Sequence, residues 1–148
     1  MAIQITRRLE FDAGHRIPDH GSQCRHLHGH RYAIEVTVEG PIHDAPGRAD
    51  NGMVLDFSDV KTIVRDVVVD PWDHAFLVWR DDAVVRAMLS SIPNHKTVVL
   101  DRVPTAENLA AHAFELIDAA LHQRFGDTLT LVCVRLYETP NCWSDAKR

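Results

Sequence analysis

HGHRYAIEVTV, residues 28–38, alternates in character: Tyr32, Ile34, Val36 and Val38 take one parity, Glu35 and Thr37 the other. Period two sends successive side chains to opposite faces of an extended chain, so the stretch predicts a half-buried strand. His28 and His30 share the apolar parity, and their imidazoles leave the same face at one end of that surface. Residues 3–17 alternate likewise, with Ile3, Ile5, Leu9, Phe11 and Ala13 opposed to Thr6, Arg8, Glu10 and Asp12. The loop between them carries Pro18 and Gly21 as turn residues, and the two strands are expected to run antiparallel.

Outward from this pair, residues 40–52 read as a loop rich in Gly, Pro, Asp and Asn. Val60, Ile63, Val64 and Val67 recur at helical spacing and predict a helix over 58–69, with Asp56 or Ser58 as cap and Pro71 as stop. Residues 81–90 predict a short helix and 97–100 a short strand. Thr105 caps the clearest helix, whose stripe of Leu109, Ala113, Leu116, Ile117, Ala120 and Leu121 ends at Gly126. Residues 128–139 read as a strand apolar on both faces. The order strand, strand, helix, helix, strand predicts one α+β domain over 1–148, its helices on one side of a mainly antiparallel sheet. So small a sheet leaves exposed edges, which pairing with other subunits would cover.

The composition agrees with a single globular domain: 148 residues, 45% hydrophobic and 25% charged, with 7 Gly and 7 Pro. A net charge of −5, from 16 basic and 21 acidic residues, argues against nucleic acid as the main partner. No apolar run reaches the roughly 20 residues that cross a bilayer, and the opening MAIQITRRLE has no signal-peptide pattern. Three cysteines, an odd number, fit reduced thiols, so a cytoplasmic protein is expected.

Histidine is the outlier: 10 in the chain, six of them between positions 15 and 43. His15 has the parity of Phe11 and Ala13, so if the two strands pair, three imidazoles converge. Such a nitrogen set suits Zn²⁺ with a fourth position open, and suits Mg²⁺ or Ca²⁺ poorly. A single histidine on an apolar strand is ordinarily a hydrogen-bonded core residue; His28-Gly29-His30 with a third histidine of matching parity favours ligands. His26 shares that parity too, so parity alone does not choose the third ligand. Gly29 allows a backbone or substrate to approach closely. Cys24 has two readings: a fourth ligand that closes the site and makes it structural, or a free thiolate acting as base or nucleophile. Cys133 reads as inert core, and nothing marks Cys142.

A second constellation follows the first helix. Asp73 beside His74 is equipped to fix an imidazole tautomer and to transfer protons, although such neighbours are often only surface groups. Glu138 has the parity of Val132, Val134 and Leu136, and a carboxylate on such a face needs a partner. That partner is either an arginine of the chain or a ligand offering two parallel N–H groups, such as a guanine-like or pterin ring edge. Glu107 sits in the first turn after Thr105, where the helix dipole alone accounts for it.

Taken together these residues resemble the 6-pyruvoyl-tetrahydropterin synthase family. The matching elements are Phe11-Asp12-Ala13-Gly14-His15, Cys24-x-x-x-His28-Gly29-His30, Gly52-Met53-Val54-Leu55-Asp56-Phe57, Asp73-His74, Pro104-Thr105-Ala106-Glu107-Asn108-Leu109-Ala110 and Glu138-Thr139, in family order over nearly the whole chain. The three-residue gap between Cys24 and His28 resembles the bacterial 6-carboxy-tetrahydropterin synthases of the queuosine pathway. The resemblance implies a tunnelling fold (T-fold), in which sheets from three subunits join into a barrel and two rings stack into a homohexamer. It implies zinc on His15, His28 and His30, Cys24 as proton acceptor, and His74 with Glu138 in a charge relay supported by Asp73. It also implies that Glu138 holds the pterin ring.

The implied substrate is 7,8-dihydroneopterin triphosphate, cleaved to 6-carboxy-tetrahydropterin, acetaldehyde and triphosphate. The alternatives are the pyruvoyl branch, which keeps the carbon chain, and a zinc-stabilised oligomeric binding module without catalysis. Arg25, His26 and Arg31 are candidates near the site for holding the triphosphate. Two departures stand out: Ala75-Phe76-Leu77-Val78 follows Asp73-His74 where the family has a Leu-Asn pair, and residues 79–103 are longer than in compact bacterial members.

Overall fold

A computed structural model describes residues 1–148 and joins six strands into one sheet. Strands β1, Ile3–His15, and β2, His28–Gly40, pair antiparallel along their whole length, from Ile3 opposite Gly40 to His15 opposite His28. On the far side of β2, β5 (Thr130–Thr139) pairs antiparallel, and β6 (Cys142–Lys147) returns along β5. Beside β1 lie β3, Ala75–Trp79, and then β4, Thr97–Leu100, both parallel. The spatial order is β4-β3-β1-β2-β5-β6.

The sheet is therefore mixed, and the expectation of a mainly antiparallel one holds only for β1, β2, β5 and β6. Ala75-Phe76-Leu77-Val78-Trp79 carries no alternation because both its faces are covered, as in parallel strands generally. Leu77 enters the main core, whereas Val78 and half-buried Phe76 pack on the other face against Val85 and Leu89. The edge strand β6 escapes the periodicity for the opposite reason, being mostly exposed. Its signal is the Pro140-Asn141 turn that joins it to β5.

Helix α1 spans Phe57–Val64, and the Asp56 carboxylate accepts from the Ser58 N–H at 2.7 Å, so Asp56 is the cap. Pro71 does not stop the helical run. A widened turn over Arg65–Val69, with Asp70 N–H bonded to Arg65 O, leads into the single turn α2, Asp70–Trp72. The wider hydrogen-bond spacing accommodates a residue that has no N–H to place. Helix α4, Ala106–Phe125, starts under the Thr105 hydroxyl and ends at Gly126, whose φ of 63° lies in the left-handed region. Together α1 and α4 cover the face bearing Phe11, Tyr32, Ile34, Val36 and Leu136, as expected of the two main helices. The short α3, Ala83–Ser90, packs on the opposite face.

Candidate metal centre and active site

Full-length pairing of β1 with β2 sets His15 directly opposite His28, with His30 one pleat further on the same face. The three ring centroids lie 4.6–5.1 Å apart, and one ligand atom from each ring falls within 4.8 Å of the others. Gly29 lets β2 lie close against β1 at this end: a Cβ there would stand 2.9 Å from the Ala13 carbonyl oxygen. His26 contributes its backbone carbonyl and stays outside the cluster, so the third histidine brought to His28 and His30 is His15.

Tautomers follow from the hydrogen bonds. Nδ1 of His15 lies 2.7 Å from Pro104 O, and Nδ1 of His28 lies 2.7 Å from His26 O. Carbonyl oxygens only accept, so each Nδ1 carries the proton and each neutral ring presents a bare lone pair at Nε2. Those two Nε2 atoms are 3.0 Å apart. Facing lone pairs repel unless a proton or a cation lies between them. Burial holds the imidazoles of His15 and His30 below their ordinary value, which works against the proton. His30 Nε2 is buried without a hydrogen-bond partner. A cation would satisfy all three nitrogens, and two nitrogens on tetrahedral Zn²⁺ at about 2.0–2.1 Å each would stand about 3.3 Å apart. The donor set fits a borderline-soft metal that takes nitrogen.

Around these rings lie the other candidate residues. Glu138, on β5, brings Oε1 within 3.5 Å of His30 Nε2, so its neighbour within the chain is a histidine and not an arginine. The same carboxylate lines a hollow of about 330 Å³ with Ile17, Thr105, Ala106, Glu107, Cys142, Trp143 and Ser144. Glu107, which the helix dipole had sufficed to explain, thus shares a hollow with Glu138; an acid in a first helical turn carried no further sequence signal. Cys24 is half-buried, and its carbonyl accepts from Ile17 N–H at 2.8 Å, which folds the loop back against the end of β1. Its thiol does not join the three histidines within 4.8 Å, so four ligands do not close the site.

The Asp73–His74 pair forms as the sequence led us to expect, with His74 Nδ1 2.9 Å from Asp73 Oδ2. Asp73 is held by the Asp12 N–H at 2.9 Å, and that bond above all keeps its carboxyl below the usual range. His74 is 77% exposed and lines an open hollow with Asp12, Ala13, Gly14, Gly29, His30, Arg31 and Ala75. Asp12, Gly14, Gly29 and Arg31 have the parity opposite to His15, His28 and His30 in the paired strands, and His74 groups with Asp12 and Asp73 and not with the three histidines. Within one chain, His74 does not reach the site of Cys24 and Glu138.

A model of the 6-pyruvoyl tetrahydropterin synthase family matches residues 4–148. Among curated proteins, the 6-carboxy-5,6,7,8-tetrahydropterin synthase of Rickettsia felis is 36% identical over 142 residues, covering 95% of this chain and 97% of its own. The Haemophilus influenzae protein of the same name is 31% identical over 146 residues, 97% of each chain. Among solved structures, an uncharacterized protein of Wolinella succinogenes matches with a TM-score of 0.81 at 23% identity, over 100% of this chain and 99% of its own. The 6-pyruvoyl tetrahydropterin synthase of Caenorhabditis elegans matches at 0.69 and 22%, over 100% and 96%. At these identities the two structures establish the T-fold subunit.

Proposed function

The chain belongs to the 6-pyruvoyl tetrahydropterin synthase family, and we propose that it is a 6-carboxy-5,6,7,8-tetrahydropterin synthase, a carbon–carbon lyase. It converts 7,8-dihydroneopterin triphosphate and water to 6-carboxy-tetrahydropterin, acetaldehyde and triphosphate, within queuosine biosynthesis in the cytoplasm. The observation that carries the reading is the pair of lone-pair nitrogens of His15 and His28, 3.0 Å apart beside His30. The curated relatives of the carboxy branch, at 31–36% identity, support that branch over the pyruvoyl one.

His15, His28 and His30 would hold Zn²⁺, which supplies Lewis acidity at the side-chain oxygens of the substrate when bound. Glu138 orients the pterin: its two oxygens accept the ring amide N–H and the exocyclic amino group in one plane. Cys24, which does not group with the three histidines, takes the proton from the substrate side chain. His74, its tautomer set by Asp73, carries protons onward. Because His74 does not group with the three histidines of its own chain, the relay closes with the Asp73–His74 pair of a neighbouring copy. The sheet edges β4 and β6 are where copies meet, as a homohexamer built from two trimers.

Product analysis of the zinc-loaded protein with 7,8-dihydroneopterin triphosphate tests the reading. Acetaldehyde and 6-carboxy-tetrahydropterin are expected. A pyruvoyl product without acetaldehyde would move the protein to the other branch, and binding without turnover would leave only a binding module. Cys24→Ala should keep zinc and assembly while losing roughly 10²-fold or more in turnover.

A further inference from the structure

Residues 79–103 lie outside the motifs of the site, yet one of them reaches it. Lys96 precedes β4 and is solvent-exposed, which would ordinarily mark a surface cation. Its Nζ donates to Asp70 O at 2.7 Å and to Asp73 O at 2.6 Å. Asp70 O belongs to the last helical turn, and Asp73 O to the peptide that leads into His74. On the other side of His74, the Lys96 carbonyl accepts from Phe76 N–H at 3.1 Å. One residue thus grips the chain on both flanks of His74.

His74 needs such a grip. Its φ is 60°, in the left-handed region, which a residue with a Cβ keeps only where its surroundings impose it. Besides the His74 Nδ1–Asp73 Oδ2 contact within the turn, three other bonds tie it to the rest of the chain: His74 N–H to Asp12 O at 2.7 Å, Asp12 N–H to Asp73 Oδ1 at 2.9 Å, and Asp73 N–H to Val69 O at 2.8 Å. All three tie the turn to β1 or to the preceding helix. Lys96 alone ties it to β4, and it does so with charge-assisted bonds.

We propose that Lys96 is a positioning residue for His74, holding the Asp73–His74 turn in the conformation that presents the imidazole to its reaction partner. The inference rests on the reading that His74 carries protons in the lyase reaction. It assigns a task to the 79–103 segment: the residue that leads into β4 brings in the amine that locks the turn.

Lys96→Met and Lys96→Arg, compared in the full-length zinc-loaded protein, test this. In Lys96→Met, amide hydrogen exchange at His74 should quicken and the NMR signals of its imidazole should shift, with zinc content unchanged. Turnover should fall roughly 10-fold with KM within about twofold, since a misplaced proton carrier affects the chemical step and not ground-state binding. Lys96→Arg, which keeps charged donors, should recover most of the loss. Unchanged exchange and imidazole signals in Lys96→Met would overturn the proposal. So would altered signals with undiminished turnover. If wild-type protein has no lyase activity while the exchange and imidazole signals respond to Lys96→Met, the grip stands and the functional reading fails instead.

Discussion

At the scale of single residues, the metal centre depends on which nitrogen of each ring is occupied. Pro104 O and His26 O accept from Nδ1–H of His15 and His28, which leaves Nε2 of both rings free for a cation. His28→Ala removes one of the facing lone pairs, and zinc affinity should drop about 100-fold or more. Elemental analysis after dialysis should find the variant largely stripped; full occupancy would refute the ligand set. His26→Ala is the matched control. Only its backbone carbonyl touches the site, and that carbonyl survives the substitution, so zinc content should be unchanged.

At the scale of elements, the Arg16–Asp82 pair joins the end of β1 to the start of α3. Two guanidinium nitrogens of Arg16 donate to the two Asp82 oxygens at 2.6 Å each, and Asp82 is 5% exposed. Asp82→Asn keeps the size but loses the charge, and should destabilise the protein by about 2 kcal/mol at neutral pH. The bond from Arg16 holds the Asp82 carboxyl below its ordinary 3.8, so this stability is complete above that value and is lost as pH falls through the lower, folded one. Urea unfolding should therefore separate wild type from variant clearly at pH 7 and less at the most acidic pH at which the wild-type fold survives. An equal gap at both would assign the effect to shape and not to charge. The strands β1 and β2 were readable at this scale because each has one buried face. The parallel β3 was not, because burial of both faces erases the alternation that marks a strand.

At the scale of the whole molecule, the two halves of the proposed proton path fall in separate groups of residues. His15, His28 and His30 share the parity of Tyr32 and Ile34, whereas His74 sits with Asp73 and with Asp12, which has the opposite parity in β1. If copies complete each other, Cys24→Ala and His74→Ala should be nearly inactive alone yet recover activity when co-expressed. Random mixing leaves about a quarter of the sites with both groups intact, so about a quarter of wild-type turnover is expected. No recovery in verified mixed oligomers would place the whole path within one chain.

The sequence by itself determined what depends on neighbouring residues. Alternation in residues 28–38 set the strand, the common face of His28 and His30, and the parity that admitted His15; helical spacing and caps set α1 and α4. Tertiary structure decided what depends on residues far apart in the chain. His15 receives its tautomer from Pro104, 89 residues away, and Asp73 is held by Asp12, 61 residues away. The choice of His15 over His26, the grouping of His74 with Asp12, and the reach of Lys96 to Asp73 are of the same kind. Periodicity records which side chains share a face of their own segment. It carries no record of which other segment meets that face, because that outcome belongs to the packing of the chain as a whole.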